Sequence, residues 1–151
     1  MGDNQSSTVK NAFVGTWKLI TSGFRRSDGV TVDLFGPDAS GRIIYDAHGH
    51  VAGQIMRANR PNFASGDQQK GTPEEIKAAI DGYIAYFGDY VVDENEKSVT
   101  HQTKGSLLPN LVGKDQKRFY VFSGNQLTLT TPPILIGGVT VTGVLVWERY
   151  L

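Results

Sequence analysis

From Phe13 onward the chain is a succession of short stretches in which apolar and polar residues alternate, broken by turn signals, with one helical pattern among them. Alternation with a period of two is what a strand with one buried face shows. Trp17 stands in Phe13-Val14-Gly15-Thr16-Trp17-Lys18-Leu19 near the start, and Trp147 stands in Val146-Trp147-Glu148-Arg149-Tyr150 at the end. That arrangement predicts a barrel whose first and last strands meet, with Trp17 plugging one end. A closed barrel leaves no exposed sheet edge, and its interior either fills with side chains or holds one small ligand. The expected partner is therefore a small molecule inside the barrel.

The segments follow from local signals. Strands are expected at 13–22, 30–34, 42–46 and 50–57, with Ser27-Asp28-Gly29 and Ala47-His48-Gly49 as turns. A polar loop over 59–71 carries one aromatic, Phe63. Thr72-Pro73-Glu74-Glu75 reads as a helix start, and Ile76, Ala79, Ile80 and Tyr83 repeat at helical spacing to about Ala85. Strands are then expected at 86–93, 98–105, 117–122, 126–131 and 139–149, with a loop at 106–115 and a break at Pro132-Pro133. The fold class is mostly β: about eight to ten antiparallel strands in an up-and-down barrel, with one short helix covering or closing one side. A sandwich is the alternative. With 151 residues, one domain is expected: a leader without structure at 1–11, then the barrel at 12–151.

Composition removes several classes of function. There is no cysteine, so no disulfide and no thiolate metal site. Lys plus Arg equals Asp plus Glu at 15 each, and no basic stripe points to nucleic acid. No apolar run approaches the roughly 18 residues of a membrane span. The polar start lacks a signal-peptide core, which makes the cytoplasm the simplest location. Gly2 with Ser6 fits a short acylation pattern, without a second basic anchor. No nucleophile elbow, phosphate loop or dinucleotide fingerprint is present, and no cofactor is expected.

Taken in order, several of these segments resemble the lipocalin-like domain proteins of bacteria and fungi. They are Phe13 to Leu19, Phe35-Gly36-Pro37 followed by Gly41-Arg42-Ile43-Ile44-Tyr45, Gln54-Ile55-Met56-Arg57 with Arg60-Pro61, and Tyr83 to Tyr90. Val99-Thr100-His101, Gly105-Ser106-Leu107-Leu108-Pro109-Asn110, Leu127 to Pro133 and Val146-Trp147-Glu148-Arg149 continue the series. The resemblance implies a calycin-type barrel around a pocket for a small, mostly apolar molecule. It also implies an arginine from a late strand, Arg149 or Arg118, lying over the Trp17 indole.

Strand faces decide the interior. One assignment puts Tyr86 with Tyr90, His101 with Thr103, Arg118 with Tyr120, Thr128 with Thr130, and Gln54 with Met56 toward the pocket. The other puts Phe87, Val91, Phe119 and Val121 inside and makes a dry core. The first is preferred, because a few polar groups on an apolar lining is what small-molecule sites look like. It names His101, Tyr90 and Arg118 as catalytic candidates: His101 to move a proton, Tyr90 to donate to an oxyanion, Arg118 to hold an enolate or carboxylate. His101 can equally be a histidine bonded to a neighbouring strand. Tyr45, Gln54, Met56, Phe63, Tyr86, Thr103, Leu108, Tyr120 and Trp147 are the ligand-binding candidates, with the loops 59–71 and 106–115 as the mouth. Asp46, His48 and His50 decorate a hairpin rather than form a metal site. Asp89 and Glu148 are read as pointing outward.

Two functions stay open. One is a cofactor-independent isomerase or cyclase acting on an apolar natural-product intermediate; the other is a non-catalytic binder or carrier of a small hydrophobic ligand.

Overall fold

In the computed structural model, residues 3–32 and 34–151 are described, with side chains for 8–31 and 34–151. Gly2 lies outside the described residues, as does Asp33 within the expected strand at 30–34. The elements in chain order are α1 (Asp3–Phe13), β1 (Gly15–Arg26), β2 (Thr31–Val32), β3 (Ser40–Tyr45), β4 (His50–Met56), α2 (Pro73–Asp81) and β5 (Tyr83–Asp93). Then follow β6 (Ser98–Ser106), a 3-10 turn (Pro109–Leu111), β7 (Asp115–Ser123), β8 (Gln126–Thr130), β9 (Ile134–Ile136) and β10 (Val139–Arg149). Every strand pairing is antiparallel, in the order β2-β1-β3-β4-β5-β6-β7-β8-β10-β9. The additional pairing of β1 with β10 closes the sheet into a barrel, with β2 and β9 as short flanking strands. The ring closes as the two tryptophan segments imply: Trp17 lies opposite Arg149 and Leu19 opposite Trp147.

The alternation resolves as polar inside at the centre of the barrel. Phe87 and Val121 are 60% and 64% exposed, whereas Tyr90 and His101 are 2% and 1% exposed. The dry-core assignment is therefore excluded. On β8 the buried positions are Leu127 and Leu129, so Thr128 and Thr130 lie on the other face. Two bulges adjust the register, one in β1 between Leu19 and Thr21 and one in β5 between Phe87 and Gly88. Gly88 is needed at the second, because a Cβ there would sit 1.9 Å from the Gln102 carbonyl oxygen.

Two differences from expectation concern the helices. The start of the chain is not a leader without structure: α1 runs over Asp3–Phe13 and seats Phe13, fully buried, in the floor of the barrel. Phe13 meets Tyr45, Tyr120 and Phe122 edge-on at 5.1, 5.1 and 4.9 Å between ring centres. Val9, one turn earlier on the same face, also packs against the core. The other helix, α2, starts as its capping box predicts, with Thr72 and Glu75 bonded reciprocally. It ends at Asp81 rather than near Ala85, because Tyr83 to Ala85 pair with β4. It has no buried residue.

The end of α1 is locked by the last strand. The Arg149 guanidinium lies 4.2 Å from the Trp17 ring centre and donates to the carbonyls of Val14 and Ala12, both at 2.6 Å. The Trp17 indole N–H donates to the Phe13 carbonyl at 2.8 Å. These carbonyls at a helix C-terminus have no partner within the helix and carry partial negative charge, which a cation offsets. Of the two arginines considered for Trp17, Arg149 is the one that stacks. Arg149→Gln is expected to cost about 2 kcal/mol from the lost charged hydrogen bonds and stacking, measured by urea unfolding. A cost below about 0.5 kcal/mol would mean that the clamp behaves as an ordinary exposed contact.

Candidate functional site

Above the aromatic floor the barrel holds a cavity of about 510 Å³. Its walls are Phe24 of β1, Ile43 of β3, Ile55 of β4, Ile84 of β5, Leu129 of β8 and Leu145 of β10. Inward alternation puts each there, and Gly53 leaves room where a side chain on β4 would otherwise project. At the rim stand Leu34 and Phe35, Leu108 and Leu111, and the β9 residues Ile134 and Ile136. Volume and lining fall in the ordinary range for a site that takes a compact organic molecule.

One wall is polar. His101 of β6, 1% exposed, is held between two tyrosine hydroxyls: Tyr45 at 2.6 Å from Nε2 and Tyr86 at 2.7 Å from Nδ1. Beside them Arg118 of β7 donates from Nη1 to the Lys117 carbonyl at 2.9 Å and from Nη2 to Gln116 Oε1 at 3.0 Å. Gln116 in turn donates to Thr103 Oγ1 at 2.9 Å. Tyr86, His101, Gln116 and Arg118 all line the cavity, and Tyr45 lies behind them in the core.

The electrostatics follow from this packing. Burial, helped by the positive charge of Arg118, pushes the His101 imidazole down to about 3, so the ring is neutral at physiological pH. Burial raises the Tyr86 phenol, partly opposed by Arg118, and raises the fully buried Tyr45 well above the usual tyrosine value. The cluster therefore presents neutral hydrogen-bonding groups and one fixed cation. It lacks a group that gains and loses a proton near neutrality, which general acid–base catalysis favours.

Of the residues expected in the site, His101, Arg118, Tyr86, Leu108, Trp147 and Gln54 are among those that line the cavity, although the Gln54 residue as a whole is exposed. Tyr45 and Thr103 stand one layer behind, bonded to His101 and Gln116. Tyr90 and Tyr120 face inward but belong to the floor. Tyr90 donates to the Asp46 carbonyl at 2.7 Å, and Tyr120 packs on Phe13 and Phe122. Tyr90 therefore does not meet the cavity as an oxyanion donor would have to. The side chains of Gln54 and Met56 are exposed, because the buried positions of β4 are Val51, Gly53 and Ile55. Gln54 accepts from the Tyr83 hydroxyl on that outer side.

The 106–115 loop supplies part of the mouth, but the 59–71 loop does not: the Phe63 ring covers Gly71 within its own loop. Asp46 and His50 lie 3.3 Å apart on an exposed hairpin, and no group of metal-ligating residues is found among the described residues. Asp89 pairs with Lys104 at 2.7 Å, partly exposed, and Glu148 is exposed.

Sequence reasoning missed much of the lining: Phe24, Phe35 and the β9 segment. Ile134-Leu135-Ile136 is a short apolar triplet after two prolines, and that was the available signal. Trp147 adds a feature visible only in the structure: its indole N–H is buried without a hydrogen-bond partner.

The profile of a family described as lipocalin-like domain matches residues 14–150. A protein of Aspergillus oryzae named as a 4'-hydroxy-3'-methoxypropiophenone carrier protein is 29% identical over 106 residues, 66% of this chain and 96% of that protein. Among solved structures, Echinococcus granulosus fatty-acid-binding protein 1 aligns with a TM-score of 0.42 at 18% identity, covering 93% of this chain and 99% of that one. A chain described as the REP1-NXSQ fatty acid transporter aligns with a TM-score of 0.41 at 13% identity, covering 91% and 96%. Among the described residues no helix is long and apolar enough to cross a membrane.

Proposed function

Because the chain belongs to the lipocalin-like domain family, the match spanning residues 14–150, we propose that it binds and carries a compact, largely apolar small molecule inside the barrel. The observation that carries this reading is the cavity: largely apolar, with Tyr86, His101, Gln116 and Arg118 gathered on one wall. Such a site orients a molecule by one polar end and holds the remainder by burial. Carriage is favoured over chemistry because His101 stays neutral down to about pH 3, which makes it a poor base. The name of the Aspergillus oryzae relative supports the same choice and suggests an aryl ketone as the ligand class.

The isomerase or cyclase reading has one observation in its favour. Tyr86 and Arg118 stand on the same wall, where they could stabilise an oxygen that gains negative charge.

The test is titration of the purified protein with 4'-hydroxy-3'-methoxypropiophenone, followed by recovery of the ligand and its mass and chromatographic analysis. Saturable one-to-one binding, with the ligand recovered unchanged, is expected. Ile84→Phe, which fills the cavity from β5, should weaken binding about tenfold or more by displacing ligand volume. Absence of binding sinks the proposed ligand class. A new product after incubation replaces the carrier with the isomerase or cyclase.

A further inference from the structure

The two hydroxyls on His101 are not equivalent, and their protons can be placed by accounting for partners. A neutral imidazole has one N–H donor and one bare nitrogen acceptor. Tyr45 is 1% exposed, its one hydrogen bond among the described residues is to Nε2 of His101, and the rings of Phe13 and Tyr90 pack against its own. If Nε2 carried the proton, Tyr45 would accept it, and its own hydroxyl proton would be buried facing no acceptor, which is costly. If Nε2 is bare, Tyr45 donates to it and every group is satisfied. The ring proton then sits on Nδ1 and donates to the Tyr86 oxygen, leaving the Tyr86 hydroxyl proton free. Tyr86 is only partly buried and lines the cavity.

We infer that Tyr45 and His101 act as positioning residues that fix the Tyr86 hydroxyl as a hydrogen-bond donor into the cavity, so that the site selects ligands presenting an acceptor oxygen, of the carbonyl kind. This rests on the reading of the barrel as a small-molecule carrier and adds the polarity of its recognition. Neighbouring groups point the same way. The Arg118 guanidinium can only donate, and Gln116 has its oxygen taken by Arg118 and its amide nitrogen by Thr103. The Trp147 indole, also donor-only, lines the cavity with its N–H buried and without a partner among the described residues. The buried part of the polar wall therefore offers protons, and the carboxylate in the lining, Asp115, is exposed at the start of β7. A ketone oxygen matches it; an amine or ammonium group does not.

The experiment has two independent arms. In the ligand-free protein labelled with 15N-histidine, the His101 signals are assigned by their loss in His101→Gln and read for tautomer. A protonated, pyrrole-like Nδ1 with a pyridine-like Nε2 is expected; the opposite tautomer overturns the inference whatever the protein binds. In the second arm, propiophenone and propylbenzene are titrated into the wild type, Tyr86→Phe and Tyr45→Phe. The wild type is expected to prefer the ketone about tenfold, the worth of one buried hydrogen bond. Tyr86→Phe should erase the preference while leaving propylbenzene unchanged.

Tyr45→Phe keeps Tyr86 intact but frees Nε2 from its donor. It should shift His101 toward the other tautomer and reduce the preference, whereas a purely structural Tyr45 would leave both alone. An unchanged tautomer and preference in Tyr45→Phe overturns the positioning role. The expected tautomer in a protein that binds neither probe leaves the proton order standing and sinks the carrier reading for this ligand class.

Discussion

Phe13→Ala is expected to destabilise the barrel by about 3–5 kcal/mol and to lower the thermal midpoint by roughly 10 °C for a chain of this size. Phe13 is 0% exposed, and α1 places it among Tyr45, Tyr120 and Phe122. The void left by alanine has little chance to collapse. Tyr45 is tied to His101 and Tyr90 to the Asp46 carbonyl, so neither ring can swing in without breaking a buried bond. Removal of the ring therefore forfeits both its transfer free energy and the contacts around it. Phe13→Leu, which keeps most of the volume, should cost less than half as much. Urea unfolding of the three proteins tests this, and a loss under about 1 kcal/mol for the alanine variant would mean that α1 does not seat its phenylalanine in the floor.

The second large effect is on pH. His101 takes up a proton at about 3 in the fold, against its ordinary 6.5, because burial and then the Arg118 charge oppose the imidazolium. The unfolded chain protonates this residue below about 6.5 and the folded chain does not. The stabilisation is thus fully present above that value and is lost as pH falls toward the folded value. Between pH 7 and pH 4.5 the folded state should lose about 2.5 kcal/mol at 1.36 kcal/mol per unit. Asp46, Glu75, Asp89 and Glu96 are all held below their usual values by hydrogen bonds or a lysine partner, so their contributions fade at lower pH. Denaturant midpoints at several pH values should show the slope in the wild type and a much flatter line in His101→Gln. A wild-type profile flat down to pH 4.5 would contradict a buried neutral imidazole.

The barrel was legible in the chain because period-two alternation is a direct image of a two-faced sheet. On β5, β6 and β7 it defined two alternative interiors that differ in every residue, and the choice between them came from the chemistry expected of a small-molecule pocket. The same rule failed on β4. There Gln54 and Met56 were placed on the inner face, whereas the buried positions are Val51, Gly53 and Ile55, and Gln54 reaches the cavity lining from an exposed position. Helix α1 escaped for a different reason. Its residues are mostly polar and only Val9 and Phe13 mark a face, so its seating is decided by tertiary contact and not by propensity. Among the site residues, His101, Tyr86 and Arg118 were reachable from facing alone. Their partners were not: that Tyr45 of β3 meets His101 across the barrel, and that Tyr90 turns to a backbone carbonyl, depend on depth along the axis, which alternation does not encode.

The pairing of β1 with β10 also bears on how the molecule comes into being. Trp17 meets Arg149 and Phe24 meets Gly143 across most of the chain's length, so the join that completes the ring has no short-range equivalent. During synthesis the earlier strands can form hairpins with their sequence neighbours, but the first strand keeps one bare edge until the tenth has left the ribosome. Topologies dominated by such distant contacts fold slowly, and an uncovered edge is a template for joining another chain. The Arg149 clamp is thus also a completion signal: the cap on the first helix arrives with the strand that removes the last edge.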